Sequence, residues 1–182
     1  MPLTKSRPSG AHGKRANAMI LAVDVDYRGE KAVVAGVLFH CWSDEAPGQE
    51  ITTTVSPVEA YVPGQFYRRE LPCILALVRK LETLPSIVVV DGHVWLDGQD
   101  APGLGKYVYD ALAGAVVVIG VAKSGFRSTP EECAVYRGRS KRPLYVTAVG
   151  IDQAVAREHV RTMAGANRIP DLLKRVDRLC RA

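Results

Sequence analysis

The chain has 182 residues, 47% of them apolar, and a formal net charge of +5. That length and apolar share fit one compact domain with a core of its own and exclude a solvated disordered chain. Lys5, Arg7, Lys14 and Arg15 supply four of the five net charges before residue 18, so overall basicity is a weak pointer to nucleic acid.

Cys41, Cys73, Cys133 and Cys180 lie far apart with no CxxC pair, which argues against structural zinc and against a disulfide framework. No apolar run reaches the roughly 18 residues of a membrane span, and the N-terminus lacks a signal-peptide apolar region. The expected protein is soluble and cytoplasmic, with no membrane contact and no obligate protein partner.

Residues 1–18, rich in Gly, Pro, Ser and basic side chains, read as a disordered basic arm or an expression remnant, leaving 19–182 as a single domain. Three strand-like segments follow: MILAVDV (19–25), KAVVAGVLFH (31–40) and QEITTTV (49–55). The first two are joined by a turn at Arg28-Gly29-Glu30 short enough for a hairpin. Helical spacing of Phe66, Leu71, Ile74, Leu75, Leu77, Val78 and Leu81 predicts a helix within 65–84, with Pro72 tolerable only near its start. SIVVVDG (86–92) and AVVVIGVAK (115–123) are β-branched runs typical of buried central strands, and 103–113 can form the crossover helix between them. PLYVTAV (143–149) is a last strand, and helices are predicted over 152–164 and 170–181. This order of elements predicts an α/β fold: a mixed sheet of three antiparallel strands and then parallel crossover strands, flanked by helices.

The chemistry of this pattern lies in its acids. Asp24 and Asp26 share one face of the first strand, where Val23 and Val25 bracket a charge that needs compensation; a metal ion would supply it, and a plain turn cap is the alternative for Asp24. Asp91 ends a central strand, where open α/β sheets place functional groups, although Asp-Gly also simply makes turns. Glu70 lies in the first helix, near the dipole end that favours an acid. Three acids from the first strand, first helix and a central strand can converge at one sheet end, and hard carboxylate oxygens suit Mg²⁺ or Mn²⁺. Lys123, at a strand end, is placed to meet a phosphate or to remain solvated. The segment 123–143 is locally basic, with Lys123, Arg127, Arg137, Arg139, Lys141 and Arg142 against Glu131 and Glu132.

In order along the chain, AVDVDY (22–27), YVPGQFYRRELP (61–72), VVDGH (89–93), GVAKSGF (120–126) and RIPDLLKRVD (168–177) resemble the endonuclease V family, nucleases acting beside deaminated purines such as inosine. The resemblance implies an RNase H-like fold in which Asp24, Glu70 and Asp91 match the family's metal-binding carboxylates, with Mg²⁺ as cofactor and Mn²⁺ as a substitute. Tyr61, Val62, Pro63 and Gly64 match its strand-prying wedge, Gly92 and His93 its approach to the flipped base, and Lys123 its active-site lysine. The implied activity is hydrolysis of a phosphodiester in inosine-containing DNA or RNA, leaving a 3′-hydroxyl.

The departures are specific. Family members usually carry a longer segment, with a helix, before the first strand. Val94 stands where the family turn has a glycine, which bears on base selectivity. The family's Gly-His near the last helix reads Gly150-Ile151-Asp152 here, so Asp152 is expected either as a fourth metal ligand, as a helix N-cap, or as both. A non-catalytic nucleic-acid-binding relative is the alternative function. GLGK (103–106) is too short for a phosphate loop. His12, His40, His93 and His159 have no metal-ligand spacing, and Trp42 and Trp95 are better placed for packing than for a base pocket.

Overall fold

A computed structural model describes residues 18–98 and 100–182; the predicted N-terminal arm, apart from Ala18, lies outside the described residues. Strands β1 (Ile20–Arg28), β2 (Lys31–Phe39) and β3 (Gln49–Val55) form an antiparallel meander, as their hairpin spacing predicts. Helix α1 (Phe66–Val78) leads to β4 (Ile87–Asp91), and α2 (Leu104–Ala111) leads to β5 (Val117–Ala122); β4 runs parallel to both β1 and β5. The seven-stranded order is β3-β2-β1-β4-β5-β7-β6, so β1 and β4, which carry Asp24 and Asp91, lie at the centre.

Two features depart from the sequence reading. A 3-10 turn at Glu131–Cys133 and a two-residue strand β6 (Ala134–Val135) precede β7 (Leu144–Val149), with no crossover helix between β5 and β7. The chain therefore folds straight back and β7 pairs antiparallel to β5 instead of extending the parallel set. Helix α1 also stops at Val78, after which Lys80 N–H and Leu81 N–H bond to Leu77 and Val78 in tighter turns. Pro72 sits inside this helix on its exposed side, so the N–H it lacks falls on the solvent face.

Both faces of the sheet are covered. Leu21, Val23, Val34, Val88 and Val90 pack with Ile74 and Leu77 of α1 and Val108 of α2. On the other face Ile20, Ala22, Val89 and Ile119 pack with Val160 of α3 (Gln153–Thr162) and Leu172, Val176 and Cys180 of α4 (Asp171–Arg181). This burial on both sides accounts for the unbroken apolar runs in β4 and β5. Among the described residues no helix is long and apolar enough to cross a membrane.

A carboxylate cleft as candidate active site

The parallel register sets Asp24 and Asp91 at the carboxyl ends of neighbouring strands: Val23 pairs with Val90, one residue before each acid. Both point to the α4 face, since they alternate with residues packed under α1. There they line a cavity of about 120 Å³ with Lys123, Lys174 and Asp177. Lys123 Nζ donates to Asp91 Oδ2 at 2.7 Å. Burial pulls the Lys123 ammonium down, but its bond to Asp91 together with the negative charge of Asp91, Asp24 and Asp177 outweighs that and holds its pKa above the ordinary value. Asp26, the other member of the Asp-Val-Asp pair, is compensated differently, by an ion pair with Arg28 at 3.0 Å.

Glu70 reaches the same sheet end from the α1 side. It is 5% exposed and its Oε2 has no hydrogen-bond partner, an arrangement that is costly for a carboxylate unless a cation joins it. Burial, with Asp24 and Asp91 adding like charge, pushes its pKa to about 8. Burial and Asp91 likewise raise Asp24 to about 6. Each of these acids resists ionising while the other acids stand near it, and a divalent cation reverses that preference. Among the described residues no three His, Cys, Asp or Glu side chains stand together as a ready-made metal site; Asp24, Asp91 and Asp177 line the cleft with Lys123 among them, and Glu70 acts on it from the α1 side.

Asp177 was missed by the sequence reading. It lines the cavity from α4 and acts electrostatically on Asp24 and Lys123, while Arg181 pairs with it at 3.1 Å. It ends the RIPDLLKRVD block, so its signal was present in the residues that carried the resemblance.

Asp152, expected as a fourth metal ligand, as a helix N-cap or as both, is not brought to the cleft and takes the capping role. Its Oδ1 accepts from the N–H groups of Ala154 at 2.9 Å and Val155 at 3.2 Å as the N-cap of α3. The physical reason is the direction of β7. Val149 pairs with Val118, three residues below Val121, the partner of Asp91, so Asp152 lies at the opposite end of the sheet, on the order of 10 Å or more away.

The Tyr61–Gly64 segment lies on the β3 flank of the acid-bearing end of the sheet, because Val55 pairs with Ala32 and Ala32 with Tyr27. Gln65 N–H donates to Val62 C=O at 3.0 Å across Pro63 and Gly64, whose φ is +76°. Proline followed by a positive-φ glycine is the pattern of a type II turn, and it thrusts Tyr61 (59% exposed) and Val62 into solvent. The Tyr61 ring is steadied edge-on by Phe66, with centroids 6.5 Å apart.

The turn after Asp91 is held from below. A Cβ on Gly120 would lie 2.5 Å from Gly92 O and 2.7 Å from Val94 N, so only glycine lets β5 support this backbone. Gly103 and Gly105 perform the same service from α2: Gly105 N–H donates to His93 C=O at 3.0 Å, and a Cβ on Gly103 would meet that oxygen at 2.4 Å. That is the structural purpose of GLGK. Gly120→Ala is expected to displace the Gly92–Val94 turn, read as a loss of cleavage larger than the loss of melting temperature.

His93 is buried, donates Nε2–H to Ser124 C=O at 3.0 Å, and has an unpartnered Nδ1. Burial lowers its pKa, which favours the neutral imidazole. Val94 is not a plug in the turn: its side chain is fully buried against Gly105 and its N–H donates to Thr147 Oγ1 at 2.8 Å. The side chain at this departure from the family turn thus lies in the core. Trp95 donates to Ala148 C=O and Trp42 stacks on His159, both in packing roles.

A central parallel strand pair ending in two aspartates, with a helix-borne glutamate beside them, defines an RNase H-like α/β nuclease. The endonuclease V family model matches residues 5–169, and the chain belongs to that family. Endonuclease V of Streptomyces coelicolor is 30% identical over 189 residues, covering 90% of this chain and 78% of that protein. The crystal structure of endonuclease V from Streptomyces avermitilis superposes with a TM-score of 0.72 at 26% identity, over 90% of this chain and 79% of the other. The fold is also shared, at 18% identity and a TM-score of 0.74 over 90% and 84% of the two chains, with Ciona intestinalis endonuclease V in complex with a 23mer DNA containing an inosine.

Proposed function

We propose that the protein is a divalent-metal-dependent endonuclease that binds inosine-containing DNA or RNA and hydrolyses a phosphodiester near the deaminated purine, leaving a 3′-hydroxyl. The observation that carries the metal is Glu70: a buried carboxylate with an unpartnered oxygen beside two further acids. Asp24, Glu70 and Asp91 would hold the ion, joined by Asp177 from α4 in the place expected of Asp152. Mg²⁺ is the natural choice for such oxygen donors, with Mn²⁺ able to substitute. Once bound, the ion supplies an activated water and offsets charge on the phosphate.

The remaining steps belong to the chain. Tyr61 stacks on the base exposed when Val62, Pro63 and Gly64 enter the helix. The altered base meets the Gly92–His93 backbone, where the described residues leave the His93 N–H without a partner for a base oxygen. Lys123, kept cationic by Asp91, faces the phosphate and steadies its charge. Tyr61→Ala is expected to raise KM for duplex substrate about tenfold or more, because stacking on an exposed base is worth about 1–3 kcal/mol.

The test incubates the protein with matched inosine and unmodified oligonucleotides, DNA and RNA, in Mg²⁺ and in Mn²⁺, beside Asp91→Ala. Cutting of the inosine strand by the parent alone supports the reading. Equal cutting by the variant sinks the carboxylate assignment, and binding with no cutting of any substrate points instead to a non-catalytic relative.

A further inference from the structure

Apart from Lys123, the basic stretch noted in the sequence is not used by the cleft itself. Arg139, Lys141 and Arg142 lie on the loop between β6 and β7, all three exposed and none ion-paired among the described residues. Sheet register places this loop at the catalytic end: Tyr145 pairs with Ala122, next to Lys123, and Leu144 lines the carboxylate cavity. Tyr61–Gly64 stands on the opposite flank of that end, beyond β1. We infer that Arg139, Lys141 and Arg142 grip backbone phosphates of the substrate where it leaves the cleft on the side away from Tyr61. The inference rests on the nuclease reading and names the contact that reading lacks.

The loop is built as a rigid mount. Ser140 N–H donates to Arg137 C=O at 3.3 Å, and Ser140 Oγ donates to Arg142 C=O at 3.0 Å while accepting from Arg142 N–H at 3.1 Å. Gly138, at φ +60°, packs so closely that a Cβ would lie 2.4 Å from Ala166 O. Beneath it the buried Arg137 anchors the first half of the loop, and Arg168 donates to the carbonyls of both Pro143 and Lys123. One guanidinium thus ties the end of the loop to the backbone of the active-site lysine. Cations on a fixed backbone lose only side-chain freedom on meeting phosphate, and two of the three are arginines able to bind phosphate through two bonds at once. Acids that could neutralise them are not in contact: Glu131 and Glu132 sit in the 3-10 turn before β6 without ion pairs among the described residues.

The experiment compares the parent with the triple variant Arg139→Gln, Lys141→Gln, Arg142→Gln on an inosine duplex with long arms on both sides, and on two duplexes truncated close to the cut on one side or the other. For the long duplex KM is expected to rise about ten- to a hundredfold with kcat within about twofold, and the slope of log KM against log salt to flatten by about two to three. The defect should vanish on one truncated duplex and persist on the other. An unchanged KM and salt slope overturns the inference, and so does an equal defect on both truncated duplexes, which marks diffuse charge. Should the triple variant fold poorly, Lys141→Gln alone should flatten the slope by about one. Binding of the same duplexes in EDTA, with Glu70→Gln as the background, separates this inference from the nuclease reading. A binding slope flattened by the triple substitution, with a parent that never cuts, keeps the grip and removes the nuclease; a cutting parent whose binding slope the triple substitution leaves unmoved does the reverse.

Discussion

Glu70→Gln is expected to abolish cutting, by about 10²–10⁴-fold, while making the metal-free protein more stable at pH 8. The sign follows from the direction of the shift. Glu70 is raised from 4.5 to about 8 in the folded chain, so below about pH 4.5 both states are protonated and nothing is lost. Between those values the unfolded chain is ionised and the folded chain is not, and stability falls as pH rises until about 8. Asp24, raised from 3.8 to about 6, adds a smaller fall over its lower window. For Glu70 this amounts to about 2–4 kcal/mol at pH 8. Urea unfolding in EDTA should show the variant gaining that much on the parent between pH 5 and pH 8. Adding Mg²⁺ or Mn²⁺ at pH 8 should stabilise the parent and leave the variant largely unmoved. A parent whose metal-free stability is flat across this range contradicts a buried, unpartnered Glu70.

Arg137→Ala is expected to lose about 3–5 kcal/mol of stability, with activity lost at temperatures where the rest of the fold survives. The Arg137 side chain is 6% exposed and donates to the carbonyls of Arg161, Met163, Gly165, Asn167 and Arg168. It therefore gathers the whole connection from α3 to α4, the helix that carries Asp177. Burial lowers its pKa, opposed by the Asp171 carboxylate facing it. Alanine leaves those carbonyls without their donor, and lysine, with fewer donors in a different geometry, should recover less than half. The checks are a urea midpoint and the Mg²⁺ concentration for half-maximal cutting, which should rise because Asp177 is no longer held. Loss of stability with an unchanged Mg²⁺ requirement would leave Arg137 a purely structural residue.

What was legible in the sequence was what local pattern determines. The β-branched runs of β4 and β5, the hairpin between β1 and β2 and the spacing of α1 set Asp24, Glu70 and Asp91 at one sheet end, and the alternation along β1 put Asp24 on a defined face. The fourth acid was not legible for a tertiary reason. Had β7 run parallel to β5, the residue after it would have emerged at the end that carries Asp24 and Asp91, and Asp152 would have been well placed. It runs antiparallel, because the link from β5 is a 3-10 turn and a short strand and not a helix, and Asp152 is carried to the far end. Asp177 sits within an amphipathic helix bearing acids and bases on several faces; only the docking of α4 against β1 and β2, fixed by Arg137 and by Arg28 bonding to the Cys180 carbonyl, selects it. Val94 misleads in the same way. A missing glycine in a binding turn bears on base selectivity when read from the sequence, whereas the side chain points into the core beside Gly105.

The most direct measurement is cleavage of an inosine-containing oligonucleotide across a Mg²⁺ titration by the parent, Asp177→Asn and Asp152→Asn. Loss of cutting, or a large rise in the Mg²⁺ required, is expected for Asp177→Asn. Asp152→Asn should cut like the parent, since Asn also caps a helix. Full activity in Asp177→Asn together with loss in Asp152→Asn would contradict the carboxylate cleft as the metal site.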